Sequence, residues 1–283
     1  MFRTPPLPLV IILGTNEIAS AVAVHLRRMG WLVILSHDPL PPVIRRGMAF
    51  HDVLFGDRCA IENIEGVRAE NSREIAAALA ASDRVAVTPL HLADLLPIGP
   101  LGALVDARMQ KYQVTPDLRG IARVTVGLGP YFQVGFNCDV AVETRPTCSG
   151  KVITTGSTDK TDGVASKLGD VGAERFVYTE RAGLWHTSID IGVRVFKRFI
   201  LGHLDGQPVH APLDGIVRGI ARDGLHVPAD VKLIEIDPRG RKAKWTGIDD
   251  RGRGIAEATV EAIRIFSHQT ATAQKQSPSY VIH

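Results

Sequence analysis

This 283-residue sequence predicts an α/β domain followed by a β-rich remainder, and three observations carry that expectation. Residues 9–35 read as strand, turn, helix and strand. Apolar runs and helical stretches then keep alternating as far as residue 107. Beyond residue 180, glycines and apolar residues recur at an interval of 32 positions.

Hydrophobic residues make up 45% of the chain and charged ones 22%, so a sizeable core is expected. The net charge of +3 is scattered, with no Lys/Arg stripe and no aromatic platform, so nucleic acid is not an expected partner. Apolar runs fall short of the ~18 residues that span a bilayer, so no membrane segment is expected. The three cysteines, Cys59, Cys138 and Cys148, include no CxxC pair. Neither a disulfide framework nor a metal site is therefore expected, and a reducing compartment, the cytoplasm, is. A homo-oligomer is left open.

Residues 1–8 form a proline-rich lead-in. Leu9 to Leu13 reads as a buried parallel strand, Gly14-Thr15-Asn16 as a turn, and Glu17 to Met29 as a helix stopped by Gly30. Trp31 to Leu35 is the second strand, which completes a βαβ unit. A helix at 72–81, a strand at 84–87, a short helix at 91–96 and a strand at 103–107 extend the pattern. Residues 9–107 are therefore expected to form a Rossmann-like domain. Gly14 stands where a dinucleotide fingerprint would begin, and Asp38 where a ribose-binding acid would lie. Asn16 replaces the second glycine, however, and its side chain intrudes where a pyrophosphate would approach, so NAD(P) is not the expected cofactor.

Residues 108–180 read as a β-rich middle segment around a glycine loop. Val124 to Val126 is a strand that runs into Gly127-Leu128-Gly129-Pro130; Asn137, Cys138 and Asp139 follow, then the strand Val140 to Val142 and Glu143-Thr144. Gly127 and Gly129 leave amides open to close approach and Pro130 stiffens the turn. With Gly14, Asn16, Asn137, Asp139, Glu143 and Thr144 around it, such a sheet margin can hold a small anionic ligand. The alternative is a plain connection between two core strands. Arg45-Arg46, in the loop after Pro39, are candidates to clamp a phosphate, or else a solvated pair.

In residues 181–240, Gly183, Gly192, Val195, Leu201 and Leu204 are matched by Gly215, Gly224, Val227, Leu233 and Ile236. Two such halves resemble the barrel-sandwich hybrid of biotinyl and lipoyl carrier domains. The junction Leu204-Asp205-Gly206-Gln207-Pro208 lacks the lysine that would bear a prosthetic group, so a swinging arm is not expected. Residues 241–267 are expected to end the fold in an amphipathic helix, Ile255 to Phe266, and 268–283 to form a polar, disordered tail.

Seven segments in order resemble the YqeB-type selenium-dependent molybdenum hydroxylase system proteins, relatives of the XdhC accessory factors. They are Gly14 with Glu17-Ile18-Ala19-Ser20; residues 42–50 (PVIRRGMAF); Val126 to Pro130; Glu143-Thr144; Gly150 to Ile153; Gly215 to Gly219; and Ile236 to Gly240. The resemblance implies a cytoplasmic maturation factor that is not a turnover enzyme. Such a factor would hold the molybdopterin cofactor, or assist its sulfuration or selenation, for an apo-enzyme partner, a molybdenum hydroxylase. Cys138 or Cys148 would then be candidates to relay a chalcogen. Two other readings stay open. One is an NAD(P)-dependent oxidoreductase, with His25, His37, His51 and His91 as candidates by residue type; the other is a non-catalytic scaffold that binds a partner protein.

Overall fold

In a computed structural model, residues 7–110, 116–161 and 163–276 are described, with side chains as far as residue 267. Residues 1–6 of the lead-in and 277–283 of the expected tail lie outside them.

The first half builds one large sheet. Its strands are β1 (Leu9–Leu13), β2 (Leu32–Ser36), β3 (Cys59–Ile61), β4 (Ile64–Arg68), β5 (Arg84–Thr88), β6 (Leu101–Asp106), β7 (Thr125–Leu128), β8 (Val140–Val142) and β9 (Val152–Ile153). They lie in the order β3-β4-β5-β2-β1-β6-β7-β8-β9. Pairing is parallel from β4 to β8, and an antiparallel strand closes each edge. Successive residues of β1 serve opposite faces, as the two-residue period of a strand requires. Val10 and Ile12 join the core that includes α1 (Glu17–Arg28), whereas Leu9, Ile11 and Leu13 join the one formed with α2 (Ser72–Leu79) and the short α3 (Leu92–Leu95). The last helix, α4 (Asp250–Gln276), returns to pack along α1 and over β8. It runs beyond the expected end at residue 267, into the stretch expected to be a disordered tail.

Eight further strands form two four-stranded sheets. These are β10 (Phe176–Tyr178), β11 (Gly183–His186), β12 (Arg194–Val195), β13 (Ile200–Leu204), β14 (Gln207–His210), β15 (Gly215–Ile220), β16 (His226–Val227) and β17 (Lys232–Asp237). One sheet has the order β10-β17-β15-β12 and the other β14-β13-β11-β16, antiparallel throughout. Trp185, Leu201, Val217, Leu233 and Ile236 fill the core between them.

Both fold expectations are corrected here. The strands and helices expected within residues 9–107 lie close to where periodicity places them, and β3 and β4 are additional to them, but the chain is mostly sheet with few helices and not a Rossmann domain with a barrel-sandwich module appended. In a Rossmann sheet β2 is flanked by β1 and by the next parallel strand in the chain. Here β5 takes the place beside β2, and β4 is pushed outside it. The connection after β2 is no simple helical crossover: residues 37–58 carry only 3₁₀ turns at Arg46–Met48 and Phe50–Phe55. Strands β7 to β9, from the expected middle segment, simply continue the first sheet. The second sheet pair is no self-contained module of residues 181–240 either. It takes β10 from upstream, and Ile44 enters its core, where the carbonyl accepts the Ile220 N–H at 2.8 Å.

Candidate functional site

The carboxyl ends of parallel strands are where α/β sheets usually hold ligands, so the sequence-predicted residues are followed from there. Gly14, at φ +107°, brings the chain against the end of β6, and a Cβ at Gly14 would stand 3.0 Å from the Ala107 carbonyl. Asn16 caps α1: its Oδ1 accepts the Ile18 and Ala19 N–H groups at 3.0 Å, and its Nδ2 donates to the Ala107 carbonyl at 2.7 Å. Two of the helix-start donors a pyrophosphate would use are thus engaged within the turn. Asp38 accepts from Gln110 Nε2 at 3.0 Å and from the Leu40 N–H at 2.9 Å, which engages the expected ribose-binding acid as well.

Neither arginine of the expected clamp is free. Arg45 grips Glu235 with Nε and Nη2 at 2.6 and 3.2 Å and reaches Glu17 at 3.0 Å. Arg46 donates to the Ile220 carbonyl at 2.9 Å and pairs with Asp52 at 2.5 Å. Glu235, fully buried, also accepts from Arg175 Nε at 3.0 Å. Arg218 lies 3.6 Å from the same carboxylate and pairs with Asp249 at 2.7 Å. Burial alone would raise the Glu235 pKa; Arg45, Arg218 and Arg175 overcome it and hold the carboxyl at about 2. This network joins the start of α1, the strap at residues 42–46 and strand β17. It is a buried strut between the two halves of the molecule.

At the glycine loop, Gly127 lies within β7 beside Asp106 and Ala141, and a Cβ there would collide with the ring of Phe132. The glycine makes room for a buried phenylalanine of the same chain. Gly129, at φ +109°, and the half-buried Pro130 carry the chain around to that ring; a Cβ at Gly129 would meet Met109 Sδ at 3.4 Å. Asn137 holds the loop from inside, its Oδ1 accepting the Gln133 N–H at 2.8 Å and its Nδ2 donating to the Tyr131 carbonyl at 3.1 Å. Asp139 accepts the Thr125 N–H and hydroxyl at 2.8 and 2.7 Å. Burial pushes the Cys138 thiol up to about 12, which leaves it a thiol at neutral pH and a poor chalcogen nucleophile.

Glu143 is buried, its Oε1 accepting the Thr144 and Arg145 N–H groups at 2.7 and 2.8 Å, and its Oε2 that of Asp159 at 2.7 Å. The Thr144 carbonyl accepts from Arg251 at 3.0 Å. Cys148 is half-buried, and its Sγ, a Glu143 oxygen and an Asp159 oxygen lie within 4.8 Å of one another. Among the described residues this is the one group with the donor set to hold a metal ion, although Arg145 already pairs with Asp159 at 3.1 Å.

The polar centre that residue-type reasoning left unplaced is Thr15 with two histidines. Its Oγ1 lies 2.9 Å from His51 Nδ1 and 3.4 Å from His37 Nδ1, with the two rings 5.2 Å apart. Burial, with His37, Arg46 and Arg222 adding to it, lowers the His51 pKa to about 3; burial also lowers that of His37. Both rings are therefore neutral at pH 7 and can hydrogen-bond, while His51, held near 3, is too weak a base to take up a proton there. The signal was a histidine directly after β2, at the strand's carboxyl end.

A pH dependence follows with a definite sign. The folded His51 pKa lies below the ordinary ~6.5, so as the pH falls the unfolded chain takes up the proton first. Stability is unaffected above that value and should drop by about 1.4 kcal/mol per pH unit well below it, until the folded value near 3 is reached. Urea titrations of wild type and His51→Asn at several pH values should differ by this slope. Parallel pH profiles would mean that the buried ring is not held neutral.

No family model matches the chain. It is 32% identical over 275 residues, 95% of its length, to the uncharacterized protein YqeB of Escherichia coli strain K12, and that match covers 49% of the relative. The chain thus spans about half the length of the curated relative it matches. Among solved structures, it is similar to a succinylglutamate desuccinylase/aspartoacylase from Rhodobacter sphaeroides at 17% identity, over 50% of this chain and 59% of that one. An aspartoacylase family protein from Mesorhizobium loti matches at 11%, over 83% and 87% of the two chains. The ectoine utilization protein EutE from Ruegeria pomeroyi matches at 13%, over 82% and 85%. TM-scores of 0.21, 0.27 and 0.25 make these likenesses too slight to assign an activity. Along nearly its whole length the chain is similar to YqeB, and the match takes in about half of that protein.

Proposed function

We propose that this chain is a maturation factor for a molybdenum-containing hydroxylase, and that it acts by engaging the apo-enzyme and not by turning over a substrate. The molybdenum reading, including kinship to the XdhC accessory factors, rests on the seven ordered segments. The choice of docking over ligand chemistry is carried by one observation: Arg45, the cation best placed to hold an anionic cofactor, already donates to Glu235 and Glu17. Phe132, which fills the space beside Gly127, and Asn16, which engages the Ile18 and Ala19 amides, support the same choice, since a pterin phosphate would need that space and those donors. A cytoplasmic setting is part of the proposal, supported by Cys59, Cys138 and Cys148 all being free thiols.

The test is to titrate purified chain with a molybdenum hydroxylase prepared from molybdenum-starved cells and with the metal-replete enzyme. A complex with the apo-enzyme that weakens once the cofactor is in place is the expected result. No binding to either form, or a stoichiometric pterin fluorophore released from the isolated chain on denaturation, would overturn the proposal.

A further inference from the structure

From Val193 to Ile200, the stretch that takes in β12, the turn after it and the start of β13 holds apolar side chains out to solvent on a fixed backbone. Val193, Phe196, Phe199 and Ile200 are 40%, 57%, 49% and 47% exposed, on a stretch where only Val195 is buried. An exposed aromatic pair on a mobile loop would mean little, but this backbone is pinned from several sides. The Val193 carbonyl accepts the Val217 N–H at 2.9 Å, and the Arg198 N–H donates to the Ala211 carbonyl at 2.9 Å. The Phe199 carbonyl accepts the Ala211 N–H at 2.8 Å, and Lys197 N–H donates to Asp214 Oδ1 at 2.7 Å. Arg198 sits at φ +70°, a left-handed conformation that a side-chain-bearing residue adopts only when its surroundings impose it.

Charge identifies the occupant. Arg194, Lys197 and Arg198 are exposed around the apolar residues and form no ion pair among the described residues; Arg194 instead lies 5.3 Å above the Phe196 ring. Beside Ile200 runs a groove of about 260 Å³ whose walls include His186, Thr187, His203 and Asp223. Ile189 and Leu201 add apolar wall to these hydrogen-bonding groups, and a groove of that mixed lining receives a protein side chain, whereas a lipid surface would meet only the protruding rings.

We infer that this turn is the docking surface for an acidic, apolar-bearing segment of a partner protein. Its apolar side chains cover Phe196, Phe199 and Ile200, and its carboxylates face Arg194, Lys197 and Arg198. Resting on the function proposed above, the inference takes the apo-hydroxylase as that partner.

The experiment compares wild type, Phe196→Ser/Phe199→Ser and Arg194→Glu/Lys197→Glu in binding to the apo-hydroxylase, with thermal midpoints confirming that each variant folds. At low salt each variant should bind at least tenfold more weakly than wild type, and added salt should weaken wild-type binding. Variants that fold and bind within twofold of wild type would overturn the surface while leaving the proposed function intact. Absence of wild-type binding would overturn the function and this inference with it. Binding to vesicles of anionic lipid, or self-association, that is lost in the variants while apo-hydroxylase binding persists would assign the turn to a membrane or a second copy, and would also overturn the inference.

Discussion

Glu235→Ala is expected to lower the folding free energy by about 3–5 kcal/mol, read as a shift of the urea midpoint, because it strands buried cations. Arg175 is almost wholly buried and Arg45 nearly so, and both donate to this carboxylate. Removing the acid leaves Arg175 out of water with no counter-charge and Arg45 with Glu17 alone, a larger penalty than the attraction that is lost. Glu235→Gln keeps an acceptor and should cost less, about 1–3 kcal/mol. The two variants also separate by pH. Because the folded pKa of Glu235 is depressed to about 2, its contribution is fully present above the ordinary value of 4.5 and fades as the pH falls between them. Wild type should therefore lose stability over that window and Glu235→Gln should lose less. A midpoint for Glu235→Ala within 1 kcal/mol of wild type, on the scale set by this mechanism, would mean that the arginines reach water.

The same network shows which part of the molecule could be read from its sequence. Most strand and helix positions within residues 9–107 were legible because they follow from local periodicity: LVIIL at 9–13 can be little other than a buried strand, and the helix expected from Glu17 forms there. The order of strands was not legible. It depends on which long-range pairings win, and nothing local places β5 between β2 and β4. The expected anion site failed for a similar reason. An arginine pair in a loop reads as a clamp until its partner is known, and the partner of Arg45 lies 190 positions away. Gly127 looked open because a glycine carries no record of what fills the space beside it; here Phe132 fills it. Thr15, His37 and His51 become one centre only because residues 37–58 fold back over the sheet edge.

Trp185→Ala is the second large effect, expected to cost about 3–5 kcal/mol through the cavity it opens. The side chain is fully buried in the core between the two smaller sheets, and its Nε1 donates to the Ala221 carbonyl at 3.1 Å. Neighbouring Gly202 is shaped to it, since a Cβ there would collide with the indole ring. Gly202 has no side chain to move into the gap, so the wall on that side cannot fill it. The more telling measurement is how the loss is shared. Ile44 packs in this core, and the Arg45–Glu235 pair ties it to α1, so the two halves should melt together. A single transition, shifted in both near-ultraviolet circular dichroism and calorimetry, is the expected result. If the smaller sheets melted first while the parallel sheet kept the wild-type midpoint, the strap and the buried ion pair would be contacts between independent units. The docking turn between β12 and β13 would then sit on a part that folds by itself.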